Sequence, residues 1–508
     1  GGCWVPCNKL KQQIGVADTR EAAEAYANAV VGPFLREDLY STFLDTAPKM
    51  LDFMFARTEV RFMPRTPAPD YRMDAPGSLV GGRSLGSVPY DGRLLGPKLQ
   101  QLNPPLPSFN APWGMMMSPL DLMHAMNVFK SIAAFKYMAK LFMRYAVDLL
   151  RFGRGTRLTM GNALSARLLK SASDAGVTLW PEAAALRLVK TGGRVTGLVV
   201  KRKGQEHVLS ARKGVVLATG GFAGSAEQRA KRYPHAAQHL SMVVETNTGD
   251  GQRMAQDMGA VLEPAAARNG FWCVVSKLVK RDGSIVKAPH FYTDIPKPGC
   301  IAVNAKGQRF GNEAALELAA AMHETGSVPA WLICDHRFIK RYGIGLVYPF
   351  GIRLHKMRRA GYLRRADSLA ELARTIGVDA KGLEQTAARH NEFARTGLDT
   401  DFGKGASAFD RAMGDATHQP NPCLGPISTA PFYAVQLFPG DVCSSLGLRV
   451  NAKAQPLTAD GKPIDGLYVC GLDMNSLWSG LGFANGAFHS QNMTFGYIIG
   501  KTLAGETP

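Results

Sequence analysis

The sequence lacks several features that identify common protein classes. Its eight cysteines include no C-x-x-C pair, which excludes the usual zinc spacings and favours reduced, cytoplasmic thiols over a disulfide framework. The chain opens on Gly1-Gly2-Cys3-Trp4, with neither a methionine nor a signal peptide, and this predicts a sequence whose start is missing. We also find no internal repeat and no low-complexity tract. The composition is that of an ordinary folded globular protein.

Acidic residues are comparatively few. Lys and Arg number 60 against 41 Asp and Glu, which leaves a net charge of +19 and predicts an anionic partner. Because the basic residues are dispersed and no nucleic-acid-binding motif is present, nucleic acid is not the expected partner. A bound dinucleotide, an acidic substrate or an anionic membrane surface explains the charge equally well. No metal site is predicted.

Three segments have the composition of a dinucleotide-binding sheet edge. Ala218-Thr219-Gly220-Gly221 ends a short apolar strand, and Thr248-Gly249-Asp250-Gly251 precedes a helix. The third is the predicted strand Gly466 to Gly471, followed by a glycine-broken loop and a helix from about Phe488. Small residues at a strand end let the backbone approach phosphates, and a helix N-terminus favours anions. Asp250 can also simply cap its helix.

The order of these segments resembles the fumarate reductase and succinate dehydrogenase flavoprotein superfamily, and within it the 3-ketosteroid dehydrogenase-like branch. Gly466 to Gly471 and Met493 to Tyr497 match the C-terminal flavin-binding signature of that branch. Gly1-Gly2 with Trp4-Val5-Pro6 matches the segment that follows the family's G-x-G-x-x-G loop. The resemblance implies that this loop is missing, so that residues 1 to 508 alone bind FAD weakly or not at all.

The resemblance implies an α/β fold: a Rossmann-like, glutathione-reductase-type FAD-binding domain, N-terminally truncated, with an inserted α+β substrate cap. We expect residues 1–267 to form the first part of the FAD-binding domain, 268–424 the cap and 425–508 the C-terminal part. Two segments, Gly299 to Glu313 and Leu398 to Gly405, match cap signatures.

FAD is the cofactor that the resemblance implies, bound without a covalent link. The positions expected to contact it are Gly1, Gly2, Ala218, Thr219, Gly220, Gly221, Thr248, Gly249, Asp250, Gly471, Asp473, Gly486 and Ala487.

The ketosteroid branch removes two hydrogens from adjacent carbons beside a ketone. In it a tyrosine is the base, while a second tyrosine and a glycine N–H hold the ketone oxygen, on which negative charge develops. Here Gly486 keeps the N–H, but Gly482 stands where the second tyrosine belongs. Glu317 stands at the position that we align with the base. Either its carboxylate faces a dry pocket and accepts the proton from the substrate carbon, or it points to solvent. Tyr71, in the Pro- and Gly-rich stretch Met63 to Pro119, either faces the substrate or packs within its loop.

The leading hypothesis is an FAD-dependent oxidoreductase that dehydrogenates a CH–CH bond next to a ketone in a steroid-like or other hydrophobic substrate. A non-catalytic flavoprotein homologue is the alternative. Fumarate reductase-type enoate reduction is less favoured, because Ile295 to Gly299 holds no arginine to donate a proton. The electron acceptor and the oligomeric state are not predicted by the sequence.

Residues 115–154 carry methionines and aromatic residues interleaved with Lys and Arg, so that no run of about 20 uncharged residues is present to span a bilayer. Two interpretations stay open. The stretch is either a core-facing amphipathic helix with a solvated basic face, or an interfacial helix in contact with a membrane surface. We therefore expect a cytoplasmic protein, with peripheral contact at the inner membrane face as the open alternative.

Overall fold

The structure is a computed structural model that describes residues 1–105, 110–111 and 114–508. Part of the loop from Met63 to Pro119 lies outside the described residues. The helices are α1 (Arg20–Val31), α2 (Glu37–Arg57), α3 (Pro119–Met126), α4 (Ile132–Phe152), α5 (Met160–Asp174), α6 (Ala226–Arg232), α7 (Asp250–Asp257), α8 (Leu318–Thr325), α9 (His336–Arg341), α10 (Leu354–Arg359), α11 (Leu369–Ile376), α12 (Ala380–Thr396), α13 (Ala408–Met413) and α14 (Ala487–Ala504). The strands are β1 (Gly2–Trp4), β2 (Phe62–Pro64), β3 (Ser84–Ser87), β4 (Tyr90–Asp91), β5 (Arg157–Leu158), β6 (Ala183–Thr191), β7 (Arg194–Arg202), β8 (Gln205–Ser210), β9 (Val215–Leu217), β10 (Leu240–Ser241), β11 (Gly270–Val279), β12 (Ile285–His290), β13 (Cys300–Val303), β14 (Ala330–Cys334), β15 (Leu363–Ala366), β16 (Phe432–Ser444) and β17 (Leu467–Val469).

Two short strands form the parallel pair expected of the nucleotide-binding domain. β9 and β17 run parallel, with Val215 opposite Leu467 and Leu217 opposite Val469. All three residues of β17 are buried, as in a strand covered on both faces. Because the strands are parallel, the glycine-containing segments that follow them lie at the same edge of the pair.

The largest sheet is organised around β16, a strand of thirteen residues. β11 and β14 pair with it antiparallel, β15 pairs with its first residues and β10 runs parallel to its end. β12 and β13 extend the sheet. Strands from the predicted cap, 268–424, thus share a sheet with a strand from the predicted segment 425–508. The proposed division into these segments stays a prediction.

A buried ion cluster joins the two cap segments that the sequence singled out. Arg309 donates to Glu313 at 2.8 Å and to Asp399 at 2.9 Å, while Lys404 Nζ lies 3.5 Å from Glu313. Burial alone would raise the pKa of Glu313, yet the Arg309 and Lys404 charges hold it well below its usual range. Since removing one member would leave a buried charge unpaired, this cluster fixes the relative position of the two segments.

An aromatic cluster holds the loop that precedes α14. Trp478 stacks on Phe483 with ring centroids 4.2 Å apart, and Trp4 meets Phe483 edge-on at 5.0 Å. Phe43 of α2 meets Trp478 edge-on at 5.5 Å. All four side chains are buried. The cluster therefore fixes the backbone on the C-terminal side of Gly482.

Residues 115–154 form two helices, α3 and α4, rather than one. Of α4 only Ala134, Met138 and Asp148 are buried, and most of its large apolar side chains are exposed. The core-facing interpretation is therefore wrong for α4, because the sequence shows an apolar face without showing whether anything covers it. None of the helices in the described part of the chain combines the length and apolar character that crossing a membrane requires.

Candidate active site

A buried carboxylate joins three of the predicted cofactor segments. Asp473, in the turn after β17, accepts hydrogen bonds from the backbone N–H of Thr219, from the Thr219 hydroxyl at 2.9 Å and from the N–H of Gly221 at 3.1 Å. The hydroxyl oxygen of Thr219 in turn accepts a hydrogen bond from the N–H of Gly251 at 3.1 Å. Burial raises the pKa of Asp473, and these donors act in the opposite direction. The residues after β9, at the start of α7 and after β17 therefore meet at one point.

The glycines of these segments adopt backbone conformations that suit a tight cradle. Gly220, Gly221 and Gly249 have φ of 92°, 73° and 84°, values that glycine tolerates best. Gly249 is the N-cap of α7 and Asp250 is its first residue, where it accepts from the Thr248 hydroxyl at 2.8 Å. The capping role considered for Asp250 thus belongs to Gly249.

Gly2, Gly486 and Ala487, three further predicted cofactor residues, meet at the N-terminus of α14, which begins at Ala487 after its N-cap Gly486. A Cβ on Gly486 would lie 2.4 Å from the backbone nitrogen of Cys3, and one on Gly2 would lie 2.5 Å from the Asn485 side-chain oxygen. Only residues without a Cβ allow this approach. The structure therefore brings Gly1-Gly2 against the start of α14.

These residues fit a flavin dinucleotide by their donors and by their space. A Cβ on Gly471 would meet nothing within 4 Å, so the end of β17 borders open space. The buried hydroxyls of Ser444 and Ser445 have no hydrogen-bond partner within the described part of the chain, and Ser444 lies beside Gly221. Unpartnered buried donors next to glycine backbone are what phosphate and carbonyl oxygens require.

Two tyrosine hydroxyls, one from each of the predicted segments 1–267 and 268–424, lie close together. The hydroxyl oxygens of Tyr71 and Tyr292 lie 2.9 Å apart. The backbone N–H of Tyr71 donates to the carbonyl of Phe483 at 3.1 Å, and its ring packs edge-on against Phe409 at 5.0 Å. Tyr292, two residues after β12, is 36% exposed. We refer to Tyr71 and Tyr292 as the tyrosine pair.

The two members of the pair are electrostatically unequal. Burial raises the pKa of Tyr71 far above its usual value, and the neighbouring Tyr292 raises it further. Burial also raises the pKa of Tyr292, but the hydrogen bond from Tyr71 and the charge of Arg65 lower it. The two hydroxyls share one hydrogen bond, in which either oxygen can be the donor.

An ion pair occupies the other side of the same space. Glu317, which immediately precedes α8, is bound to Arg268 at 2.5 Å. A Cβ on Gly482 would lie 3.0 Å from Oε1 of Glu317 and 3.9 Å from the ring of Tyr71. Both charged side chains are partly exposed. Gly482 therefore lies directly against Glu317, and we call the pair of Arg268 and Glu317 the ion-pair side.

The structure places Tyr71 and Glu317 on either side of Gly482, and their roles toward a substrate stay predictions. Tyr71 also packs on Phe409 and Glu317 is partly exposed, so the alternatives of a packed loop tyrosine and a solvent-facing glutamate stay open. Tyr292 was missed. Its one sequence signal is a tyrosine shortly before the strand Cys300–Val303, in a segment that the alignment did not cover.

Comparison with known proteins decides the family. The FAD binding domain family matches residues 1–487. The chain belongs to this family. One relative, the 4-oxocyclohex-2-ene-1-carboxylate 5-dehydrogenase of Sinomonas cyclohexanicum, is 36% identical over 99% of this chain and 86% of the relative. The 3-oxosteroid 1-dehydrogenase of Mycolicibacterium smegmatis is 32% identical over 99% of this chain and 90% of the relative.

A solved structure extends the family likeness to the fold. The 3-ketosteroid Δ1-dehydrogenase of Sterolibacterium denitrificans, solved with 1,4-androstadiene-3,17-dione, is 33% identical, with a TM-score of 0.88 over 99% of this chain and 91% of that chain. The predicted fold class, the ketosteroid-dehydrogenase-like resemblance and FAD as the cofactor are confirmed. The roles of individual residues stay predictions.

Proposed function

We propose that this protein dehydrogenates a carbon–carbon bond next to the ketone of a cyclic substrate. The observation that carries the proposal is the tyrosine pair, with its hydroxyl oxygens 2.9 Å apart and the Tyr71 ring beside Gly482. Family membership and full-length relatives that are named as ketone-directed dehydrogenases support it.

The proposed roles follow from the chemistry of the pair. Tyr292, in its unprotonated form, takes the acidic proton from the carbon next to the ketone and becomes neutral, and Tyr71 donates the hydrogen bond that stabilises the Tyr292 phenolate before the transfer. The backbone N–H at Gly486, at the positive end of the α14 dipole, is the proposed donor to the ketone oxygen. When bound, FAD supplies the acceptor for the second hydrogen and its electron pair, so that a double bond conjugated with the ketone results. Glu317 is the alternative base.

The substrate is proposed to be a hydrophobic ring that presents a polar group to the ion-pair side. Burying a partly exposed ion pair under a purely apolar ring would cost free energy unless the substrate replaced its lost hydration. A small cyclic ketone with a hydrogen-bonding or charged substituent satisfies this condition better than an apolar steroid ring. The 36% identical relative, named for an oxocyclohexene carboxylate, supports this preference.

The experiment is a substrate panel on the FAD-bound protein. The flavin absorbance bands are recorded, and the reduction of an artificial electron acceptor is followed with a 3-ketosteroid and with 4-oxocyclohexanecarboxylate. With fumarate, the oxidation of a reduced dye is followed instead. We expect turnover with a cyclic ketone and none with fumarate. A bound flavin without turnover of either ketone would instead support the non-catalytic homologue.

We also propose that the protein is cytoplasmic and touches the inner membrane face through residues 115–154. The exposure of the apolar side chains of α4 supports this contact.

A further inference from the structure

We infer that α3, α4 and the cap turn Tyr348–Ile352 form one docking surface for a bilayer with anionic lipid headgroups. We call it the hairpin surface. It rests on the membrane contact proposed above and uses none of the catalytic assignments, so it can fail or hold independently of the dehydrogenase reaction.

The first observation is the amount of apolar surface left in water. Between and along the two helices, Phe129 is 85% exposed, Ile132 76%, Met143 70% and Leu150 89%. Single exposed apolar residues are ordinary, but a contiguous group marks an interaction site. The helix α2 has the same length of 21 residues and buries eight of them, whereas α4 buries three. Ile132, Met143 and Leu150 of α4 are therefore left largely exposed to solvent.

These residues share one face of α4. Ile132, Met143 and Leu150 are separated by 11 and 7 positions, which correspond to about three and two turns of a helix. The buried Ala134 and Met138 lie on the opposite side, toward the rest of the protein. Such a helix lies flat, with its apolar face directed outward, as interfacial helices do.

The exposed charges of the hairpin surface have one sign. Lys130, Lys136, Lys140 and Arg151 are exposed along residues 119–152. The stretch contains two carboxylates, Asp121 and Asp148, and both are buried.

Those two carboxylates are already bound. Asp121 accepts from Tyr137 at 2.6 Å and from Arg157 at 2.7 Å, while Asp148 accepts from the Thr156 hydroxyl at 2.8 Å. Neither is available to neutralise the exposed lysines. The outward face therefore combines an apolar stripe with a basic edge, the combination that anionic bilayers attract.

The charge pattern selects a bilayer rather than a second copy of the chain. A symmetric dimer through this surface would bring the same patch of each copy together. Four cations would then oppose four cations with no described acidic partner between them, whereas lipid phosphates would neutralise them. Each lysine near an anionic surface is worth about fivefold in affinity.

The surface continues from the helices onto the turn Tyr348–Ile352. The ring of Phe129 meets that of Phe350 edge-on at 6.3 Å, and Phe350 is itself exposed. A few residues earlier, the N–H of Gly345 donates to Asp294 at 3.0 Å, only two residues from Tyr292.

The test is sedimentation of the full chain with vesicles, either all phosphatidylcholine or one-third phosphatidylglycerol, at low and high salt. We expect binding to the anionic vesicles that weakens with salt. The charge variant K130E/K136E/K140E should bind at least tenfold more weakly, and F129S/I132S/L150S should do the same at high salt. The matched controls are R358E/R359E/R364E, an exposed basic cluster on the cap, and V177S/V208S/V279S, which removes exposed apolar residues elsewhere. Both should bind like the original protein.

Two results would overturn the inference. One is the absence of binding to anionic vesicles at low salt. The other is equal binding by the hairpin variants and their controls. Sedimentation velocity without lipid is measured in parallel, and a dimer that only the hairpin variants abolish would assign the surface to a second copy instead. Circular dichroism and melting curves check that each variant is folded, and turnover of a water-soluble ketone should be unchanged in all of them.

Discussion

The two sides of the candidate site differ in kind. The tyrosine pair is two neutral hydroxyls bonded to each other, with Tyr71 packed on Phe409. The ion-pair side, within reach of Tyr71 across Gly482, has two opposite charges, Arg268 and Glu317, and a missing side chain. One side has the groups needed to take a proton from carbon, and the other has the groups that meet the rest of the substrate. We therefore expect the reaction to be the one that the family catalyses, and the substrate preference to be specific to this chain.

The largest effect that separates the two sides is expected for Tyr292→Phe. The change removes the proton acceptor but keeps the ring, so kcat/KM should fall about 100-fold to 10,000-fold. It is measured by dye-linked turnover, with flavin absorbance and melting temperature as controls for an intact holoenzyme. Turnover within twofold of the original protein would remove Tyr292 from the mechanism.

Tyr71→Phe should have the next largest effect, because it keeps the packing and deletes the donor to Tyr292. We expect kcat/KM to fall about 10-fold to 100-fold, as for a hydrogen bond to a charged group. The matched control is Tyr497→Phe. The ring of Tyr497 packs on that of Phe53, with centroids 5.2 Å apart, and contacts neither member of the tyrosine pair.

The dependence of the rate on pH also tests the proposed roles of Tyr292 and Tyr71. The active form of Tyr292 is unprotonated, and burial raises its pKa above the ordinary 10.0. The rate should therefore rise with pH without a plateau below pH 10, as long as the protein stays folded. Loss of the Tyr71 donor raises the pKa of Tyr292 further and moves the profile to higher pH. An unshifted profile in Tyr71→Phe would contradict the pairing.

Gly482→Ala probes the ion-pair side by adding a methyl group next to the Glu317 carboxylate. The new methyl group would lie 3.0 Å from Oε1 of Glu317, so the carboxylate must move. We expect KM to change by about tenfold with little change in kcat, since the methyl group alters fit and not proton transfer. The two constants are measured separately on the preferred ketone. A fall confined to kcat would place Gly482 in the chemistry.

Glu317→Gln should have the smallest effect if Tyr292 is the base. A partly exposed ion pair contributes about 1 kcal/mol or less, so kcat/KM should change by about fivefold at most. Arg268→Gln, which removes the other partner, is the matched variant and should behave similarly. Loss of turnover in Glu317→Gln alone would make Glu317 the base and refute the assignment to Tyr292.

Much of the nucleotide-binding part could be predicted from the sequence. The strand at Leu467, the glycine segments at Ala218 and Thr248, and the helix at Ala487 are local patterns whose chemistry depends on neighbouring residues in the chain. Their convergence on Asp473 follows from parallel strands ending at one sheet edge.

The tyrosine pair and the ion-pair side could not be predicted in the same way. The Tyr71–Tyr292 contact joins residues 221 positions apart, and no local pattern encodes such a meeting. Glu317 was found because it occupies an aligned position, but its arginine partner depends on how the cap folds back. The exposure of α4 likewise depends on what packs against it, and periodicity alone does not report that.

The most direct test of the central claim separates proton removal from oxidation. The FAD-bound protein is incubated with its preferred ketone in D2O, without an electron acceptor, and exchange of the hydrogens next to the ketone is followed by proton NMR. We predict rapid exchange with the original protein and with Glu317→Gln, slower exchange with Tyr71→Phe, and exchange at the enzyme-free rate with Tyr292→Phe. Undiminished exchange in Tyr292→Phe, or its loss in Glu317→Gln, would contradict the account.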